Sequence, residues 1–170
     1  MNQVVIKKRK LKAKEIDLLM SEIKRTPYII GHSQREWLSF QNVFLAEINN
    51  VFAGVCVNKN LGFNWVEIGP ILILEKFRGA KIGKKLFAKA FDWAELKKKN
   101  IYMVSGNPVV INWMKDRGMK TQNHIFGLPW PIIWRDIVMV FSLYRISEFL
   151  RKSSLHRQKS KYIYGYKIAK

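Results

Sequence analysis

The first third of the chain shows short apolar runs separated by polar and helix-breaking residues. Residues 4–6 are consecutive apolar positions that predict a strand, and apolar positions recur at helical spacing through residues 16–23. Pro27 ends that predicted helix. Ser33 followed by Glu36 has the spacing of a capping box, which predicts the start of a short second helix.

The middle of the chain has the pattern of consecutive strands. Residues 43–46 and 51–57 are apolar runs on either side of the Asn49-Asn50 pair, which suits a tight turn, so we expect a hairpin. The polar residues 58–62 interrupt this pattern. A long apolar run over residues 65–74 then predicts a central strand.

Strands and helices alternate in the second half. Residues 78–83 carry two glycines, and the helix predicted after them has an apolar face of Leu86, Phe87, Ala90, Phe91 and Ala94. Residues 101–105 predict a buried strand, Pro108 begins the next helix and Gly118 ends it. This order is typical of a mixed α/β sheet with right-handed crossover helices.

The last third predicts three further elements. Residues 121–125 suggest a short strand, and residues 132–152 suggest an apolar-rich helix. Alternation over residues 162–166 predicts a closing strand. The predicted fold class is therefore α/β, with an extra C-terminal helix before the last strand.

Composition narrows the class of protein. The 170 residues are 48% apolar, enough for a core, and the length favours one domain over residues 1–170. The single cysteine, Cys56, excludes an internal disulfide and suits a reducing compartment.

We expect a cytoplasmic protein. The N-terminus lacks the apolar stretch of a signal peptide, and prolines and charges interrupt the most apolar window, residues 125–144. The three histidines, His32, His124 and His156, are far apart in sequence and do not have the spacing of metal ligands, so no metal is predicted.

Residues 71–86 combine the end of a strand, a glycine turn and the start of a helix. The first turn of a helix has free backbone N–H groups, and glycines let a ligand approach the main chain. Four cations accompany the turn, which suits a pyrophosphate: Arg78, Lys81, Lys84 and Lys85. The alternative is a turn whose glycines only satisfy backbone geometry and whose lysines form a solvated helix face.

The same segment resembles the acyl-CoA-binding motif of the GNAT superfamily of N-acyltransferases, written as Gln or Arg, two residues, Gly, one residue, then Gly or Ala. Arg78 and Gly83 match, whereas Lys81 stands where the first motif glycine is expected. Asn107 and Gly118 reproduce the family's strand-end asparagine and the glycine that closes the next helix. The resemblance implies a GNAT-like fold that uses acetyl-CoA as cosubstrate.

The resemblance also implies roles for individual positions. The main chain of Ile71 and Ile73 would pair with the pantetheine arm, Asn107 would contact the cofactor near the thioester, and Arg78 would belong to the phosphate site. Main-chain N–H groups of the turn would hold the pyrophosphate, namely those of Gly79, Ala80, Lys81, Ile82, Gly83 and Lys84. Because Lys81 carries a Cβ, the turn must avoid positive φ there or accept about 1 kcal/mol of strain.

For proton transfer the resemblance offers one base but lacks its usual acid. Glu67 lies eleven residues before Arg78, where protein-lysine acetyltransferases of this superfamily place their catalytic glutamate, and it could accept a proton directly or through one water. The alternative for Glu67 is a surface ion pair. Met114 replaces the family's usual tyrosine acid and cannot donate a proton. Tyr102 is the fallback acid, with core packing as its alternative, and solvent is a third source. An α-amine of pKa about 7.7–8.0 therefore suits the site better than a lysine amine of pKa about 10.4.

Charge points to an anionic partner. The chain carries 31 Lys and Arg against 12 Asp and Glu, a net charge of +19, far above what solubility requires. One acid-free block comprises Lys7, Lys8, Arg9, Lys10, Lys12 and Lys14. Residues 145–170 add eight basic side chains against one acidic. Nucleic acid, an acidic protein and an anionic membrane face all stay open as partners, and the alternative is that the charge serves solubility alone.

Two C-terminal features leave the partner open. Tyrosines occupy every second position of residues 162–166 between Lys161 and Lys167, which suits base stacking or, alternatively, a closing strand. The helix predicted over residues 132–152, with Trp130 and Trp134 near its start, could lie in a membrane interface, cap the acceptor cleft or form a homodimer contact.

These observations predict an N-acetyltransferase that moves an acetyl group from acetyl-CoA to an amine on a nucleic-acid-borne or other anionic macromolecular acceptor. A protein amine or small-molecule amine is an alternative, although a charge of +19 repels cationic substrates. Lys81 and Met114 leave a second alternative: a catalytically weak or inactive basic protein on a GNAT-like fold that binds nucleic acid or an anionic membrane.

Overall fold

A computed structural model describes residues 3–26, 31–134 and 162–169 of the chain. In chain order its elements are β1 Val4–Lys8, α1 Ala13–Arg25, α2 Gln34–Ser39, β2 Asn42–Ile48, β3 Val51–Gly62, β4 Trp65–Ile73, a 3-10 turn Glu75–Phe77, α3 Ile82–Leu96, β5 Asn100–Ser105, α4 Pro108–Asp116, β6 Lys120–Gln122 and β7 Ile163–Lys167. Residues 130–134 are also helical. Within the described ranges, no helix is both long and apolar enough to cross a bilayer.

The strands form one seven-stranded mixed sheet in the order β1-β2-β3-β4-β5-β7-β6. Strands β4 and β5 are parallel and are connected through α3, whereas the other neighbouring pairs are antiparallel. The predicted mixed α/β fold and the central position of β4 are confirmed. The closing strand β7 is also confirmed, and it lies between β5 and β6 rather than at an edge.

Helices cover both faces of the sheet. The core under α3 and α4 includes the apolar face that was predicted for α3, namely Leu86, Phe87, Ala90, Phe91 and Ala94. On the other face, α1 and α2 bury Ile16, Leu19, Ile23 and Trp37 against β2 and β3. A smaller cluster on that face joins Trp65, Tyr102, Leu128 and Ile132. Cys56 is fully buried in β3, as a small strand residue would be.

Local sequence signals explain several element boundaries. Asn49 and Asn50 both adopt positive φ, 49° and 62°, in the predicted hairpin turn. The Ser33 hydroxyl accepts a hydrogen bond from the Glu36 N–H, and the Glu36 carboxylate accepts one from the Ser33 N–H, so the capping box is confirmed.

Three boundaries differ from prediction. Residues 58–62 do not interrupt the sheet: β3 continues through Gly62, because the actual turn is made by Phe63 and Asn64, with φ of 47° and 62°. The strand predicted over residues 121–125 ends at Gln122, where the chain bends. The helix predicted from residue 132 begins earlier, at Trp130, and its part beyond residue 134 lies outside the described residues, as does His156.

Candidate functional site

A gap opens between β4 and β5 in the middle of the sheet. The two strands pair only where Trp65, Val66 and Glu67 face residues 100–102, although β4 continues to Ile73 and β5 to Ser105. Parallel strands that stop pairing leave main-chain N–H and C=O groups without a ladder partner. The gap therefore exposes backbone groups in the interior of a sheet.

The backbone of Ile71 and Ile73 points into this gap. The Leu74 N–H donates to the Ala53 carbonyl across the β3 side at 2.9 Å. Because successive residues of an antiparallel ladder direct their backbone groups to opposite sides, those of Ile73 and Ile71 point away from β3 and towards β5. Their side chains pack against the core under α3, which is compatible with a role of the backbone alone.

Arg78 holds the turn that follows β4. Its guanidinium donates to the Glu22 carboxylate of α1 and, at 3.3 Å, to the Ile73 carbonyl. Glu22 is buried, whereas the Arg78 side chain is about half exposed. The contact of Arg78 with phosphate stays a prediction, and its observed contacts join α1 to the end of β4.

The N-terminus of α3 is open. Lys81 occupies the position before the helix in the left-handed conformation, φ 55° and ψ 17°, and makes no side-chain cap. Within the described chain, no hydrogen bond uses the N–H groups of residues 79–84, while Lys85 N–H returns to the Lys81 carbonyl. The turn thus accepts positive φ at Lys81, and Gly79 has φ 86°. Exposed amides at a helix N-terminus form a site for anions.

Asn107 caps the start of α4. Its side-chain oxygen accepts a hydrogen bond from the Val109 N–H at 2.9 Å, and Pro108 occupies the first helical position, as predicted. The side-chain NH2 of Asn107 is left as a donor at the end of β5. Contact with the cofactor stays a prediction for this residue.

Glu67 and Tyr102 are register neighbours on one face of the sheet. Glu67 is buried, and the Lys59 ammonium lies 3.6 Å from its carboxylate as its partner across β3 and β4. Tyr102 is fully buried beside Trp65, Leu128 and Ile132. The structure therefore brings both predicted catalytic residues to the α1 and α2 side of the sheet, and their catalytic roles stay predictions.

The chain matches the model of the acetyltransferase (GNAT) family over residues 15–119. That range contains β4, the gap, the open turn and the N-terminus of α4. The chain belongs to the GNAT acetyltransferase family. It is thus a GNAT-type N-acetyltransferase, and members of this family use acetyl-CoA as cosubstrate.

Solved GNAT structures share the fold. Across the whole chain it is similar to N-acetylglutamate synthase from Neisseria gonorrhoeae complexed with coenzyme A and N-acetyl-glutamate, with TM-score 0.67 and 14% identity, and it spans 36% of that protein. It is similar over 71% of its length to ribosomal-protein-S18-alanine N-acetyltransferase from Escherichia coli, covering 79% of it with TM-score 0.57 and 13% identity. A putative streptothricin acetyltransferase from Bacillus anthracis with acetyl-CoA matches over 99% of this chain and 98% of its own, with TM-score 0.54 and 15% identity. A search of curated protein sequences finds no match.

The residues of this GNAT chain fit acetyl-CoA. Ile71 offers backbone groups to an amide-rich arm, Ile73 offers its N–H because Arg78 donates to its carbonyl, and residues 79–84 offer N–H groups to phosphate. Among the described residues, no group of three or more His, Cys, Asp or Glu side chains could hold a metal ion.

Two residues of the site escaped the sequence analysis. Lys59 faces Glu67 in the β3–β4 register, which depends on the turn at Phe63 and on a register shift between Asn60 and Gly62. Trp113 of α4 stacks on Phe87, with ring centroids 5.5 Å apart, and lies 3.1 Å from where a Cβ on Gly83 would stand. Regular pairing from the turn would place Asn60 opposite Glu67, so Lys59 needs the register shift and Trp113 needs the packing of α4 on α3.

Met114 has a structural role. It is fully buried, and its sulfur lies 2.9 Å from where a Cβ on Gly165 would stand. Glycine at position 165 of β7 therefore leaves room for Met114, and no phenol occupies this position.

The N-terminal cationic block is partly neutralised, contrary to its acid-free sequence. Arg9 donates to Glu15 at 2.6 and 2.8 Å and to Glu47 at 3.0 Å, and the Lys7 ammonium lies 2.6 Å from Glu47. The hydrogen bonds from Lys7 and Arg9 lower the pKa of Glu47. Burial favours a higher pKa for Glu15, but hydrogen bonds from Arg9 and the Lys12 N–H outweigh it and the pKa is lowered. Its hydrogen bond to Glu15 raises the pKa of Arg9.

Proposed function

We propose that this GNAT enzyme transfers the acetyl group of acetyl-CoA to an α-amine carried by a nucleic acid or another anionic macromolecule. The observation that carries the acceptor class is a row of lysines on the solvent face of α3 and its preceding turn: Lys81, Lys84, Lys85 and Lys89. Within the described chain these lysines form no ion pair, since the two acids of α3, Asp92 and Glu95, bind Arg117 and Lys167.

Without an anionic ligand, the lysines of this row repel one another. Lys81 precedes α3, whereas Lys85 and Lys89 lie within it four residues apart, and like charges at that spacing destabilise a helix by about 0.2–0.5 kcal/mol. The first of them adjoins the open amides, where the pyrophosphate is expected. The row continues along α3 past that turn, which offers ammonium groups to a polyanion beyond coenzyme A.

The charge balance near Glu67 supports an acceptor that is not polycationic. The Lys59 ammonium offsets the Glu67 carboxylate at 3.6 Å, so the pair carries no net charge. A cationic metabolite would therefore find little attraction there to offset the repulsion by the whole chain.

The chemistry needs one proton acceptor from the protein. When bound, acetyl-CoA supplies an activated thioester. Glu67 would accept the proton of the attacking α-amine, directly or through one water, while the coenzyme A thiolate leaves and is protonated by solvent or by Tyr102. An α-amine of pKa about 7.7–8.0 costs only about 1–1.4 kcal/mol to deprotonate at pH 7, which suits this limited apparatus.

A matched pair of acceptors tests the proposal. One is an aminoacyl ester of a short RNA hairpin, and the other is the same aminoacyl ester of adenosine, so that only the polyanion differs. Coenzyme A release from the RNA acceptor should fall steeply between about 50 and about 200 mM salt, whereas release from the adenosine ester should stay nearly flat. Equal salt dependence for both would refute the anionic acceptor and favour a protein or small-molecule amine. RNA binding without coenzyme A release would identify an inactive binding protein.

Glu67→Gln tests the base. Turnover should fall by about 10²–10⁴ because the amide cannot accept the proton, while acetyl-CoA affinity should not change. Glu47→Gln is the matched control, since Glu47 is another buried strand glutamate bound to a lysine. Its turnover per folded molecule should equal that of the wild type, and an unchanged rate in Glu67→Gln would remove Glu67 from the mechanism.

A further inference from the structure

The segment 125–134 is apolar on two opposite sides. Leu128 and Ile132 are buried against the sheet. Phe126, Trp130 and Trp134 follow the same four-residue spacing but point outward, and they are 78%, 68% and 57% exposed. Because the outer side of this segment is apolar as well, that side is a candidate surface for binding an apolar partner.

The outward rings are held in position by the protein. Leu128 N–H donates to the Ile125 carbonyl at 3.2 Å, and Ile132 N–H donates to the Pro129 carbonyl at 2.9 Å. The Gln122 side chain donates to the Phe126 carbonyl at 3.0 Å. The rings of Trp130 and Trp134 lie 6.3 Å apart. The two indoles therefore form one preorganised aromatic surface.

The charges around this surface select its partner. From Arg117 to Trp134 the sequence contains no carboxylate, and Lys120 is exposed in β6, the strand whose Gln122 side chain binds the Phe126 carbonyl. Tryptophan favours the membrane–water interface, since its ring is apolar and its N–H is polar. Aromatic rings flanked by cations are the composition that binds anionic lipid surfaces. A second copy is less favoured because two chains of +19 repel each other.

We propose that the surface formed by Phe126, Trp130 and Trp134 docks onto an anionic lipid bilayer, with the indole rings at headgroup depth. This inference does not depend on acetyl transfer. Lys120 and the net charge of +19 contribute attraction to anionic headgroups, and the rings contribute apolar burial that salt does not screen.

Flotation of the full chain with vesicles tests this docking. Vesicles of phosphatidylcholine and phosphatidylglycerol in equal parts should carry the protein, and vesicles of phosphatidylcholine alone should carry much less. Trp130→Ser combined with Trp134→Ser should weaken partitioning by about 100-fold, a factor of ten for each ring lost from the interface. Leu96→Ser is the control: Leu96 is also highly exposed but lies at the end of α3, which covers the opposite face of the sheet.

The outcomes separate the partners. Binding to anionic vesicles that depends on both tryptophans and partly survives high salt supports the proposal. No vesicle binding, or binding that the double variant retains in full, overturns it. Light scattering that shows a wild-type dimer and a monomeric double variant overturns it in favour of a contact between copies. If the double variant fails to fold by circular dichroism, Trp130→Ser alone gives the same test with about a tenfold loss expected.

Discussion

The N-terminal strand and the start of α3 carry similar runs of cations, but only those at the N-terminal strand form ion pairs with described acids. Lys7 of β1 and Arg9, which directly follows that strand, contact Glu47 and Glu15 at 2.6–3.0 Å. At α3, Lys84 and Lys85 are exposed, and no described acid lies within ion-pair distance of either.

This difference teaches that a count of charges does not locate a binding surface. The β1 cations are used within the protein to hold α1 and β2 together. The α3 cations accompany amides without partners and a lysine in a left-handed conformation, so that region keeps its donors for a ligand.

The largest effect should follow from placing a carboxylate in the open turn. Gly83→Asp should lower acetyl-CoA affinity by about 100-fold, or about 2.8 kcal/mol, because its charge opposes phosphate and its Cβ crowds Trp113. Gly83→Ala brings the same Cβ without the charge and should lose less than tenfold. Calorimetric titration measures both, and equal losses would mean that crowding alone explains the effect.

Breaking the β1 network should change stability but not binding. Glu47→Gln should lower the free energy of unfolding by about 1.5–3 kcal/mol, since it removes a buried acceptor of charged hydrogen bonds. Urea denaturation measures this loss. Glu95→Gln breaks the more exposed pair with Lys167 and should cost less than about 1 kcal/mol. A drop in acetyl-CoA affinity for Glu47→Gln would contradict the separation of the two regions.

Acid should weaken the β1 network in a defined direction. The pKa values of Glu15 and Glu47 are lowered from the usual 4.5, so the unfolded chain takes up protons at higher pH than the folded protein. Their contribution is complete above pH 4.5 and is lost as the pH falls through the folded-state pKa values. Urea denaturation below pH 4.5 should therefore show a smaller decline for Glu15→Gln combined with Glu47→Gln than for the wild type, and parallel curves would contradict this origin.

The smallest effect concerns the strained lysine. Lys81→Gly should raise the free energy of unfolding by about 1 kcal/mol because glycine adopts φ 55° without a Cβ penalty. Acetyl-CoA affinity should fall slightly, as one ammonium near the phosphates is lost. A variant that is more stable in thermal unfolding but binds acetyl-CoA more weakly in titration would show that the strain at Lys81 is retained for binding. A variant that is less stable than the wild type would contradict the presence of strain at Lys81.

Much of the fold follows from short-range signals. The Asn49-Asn50 turn, the capping box of Ser33 and Glu36 and the Pro108 start all depend on contacts within about four residues, so the pattern of side chains determines them. The end of β3 was predicted wrongly because polar residues 58–62 do not suggest a strand. Pairing with β2 and β4 carries the strand through them.

The site divides in the same way. The glycine turn and its family motif are visible in the sequence, as are Glu67 and Asn107. Strict alternation along β4 would place Glu67 on the same face as Ile71 and Ile73, but a register shift opposite residues 56–58 of β3 moves the isoleucines to the other face.

By itself the sequence determined the order of elements, the position of the glycine turn before α3 and the excess of positive charge. Only the tertiary structure decided which charges remain for a ligand, because Glu47, one of the two partners of Arg9, and Glu22, the partner of Arg78, lie 38 and 56 residues away along the chain. Turns and caps are local contacts encoded by neighbouring residues, whereas ion pairs between distant elements exist only once sheet register and helix packing bring them within reach.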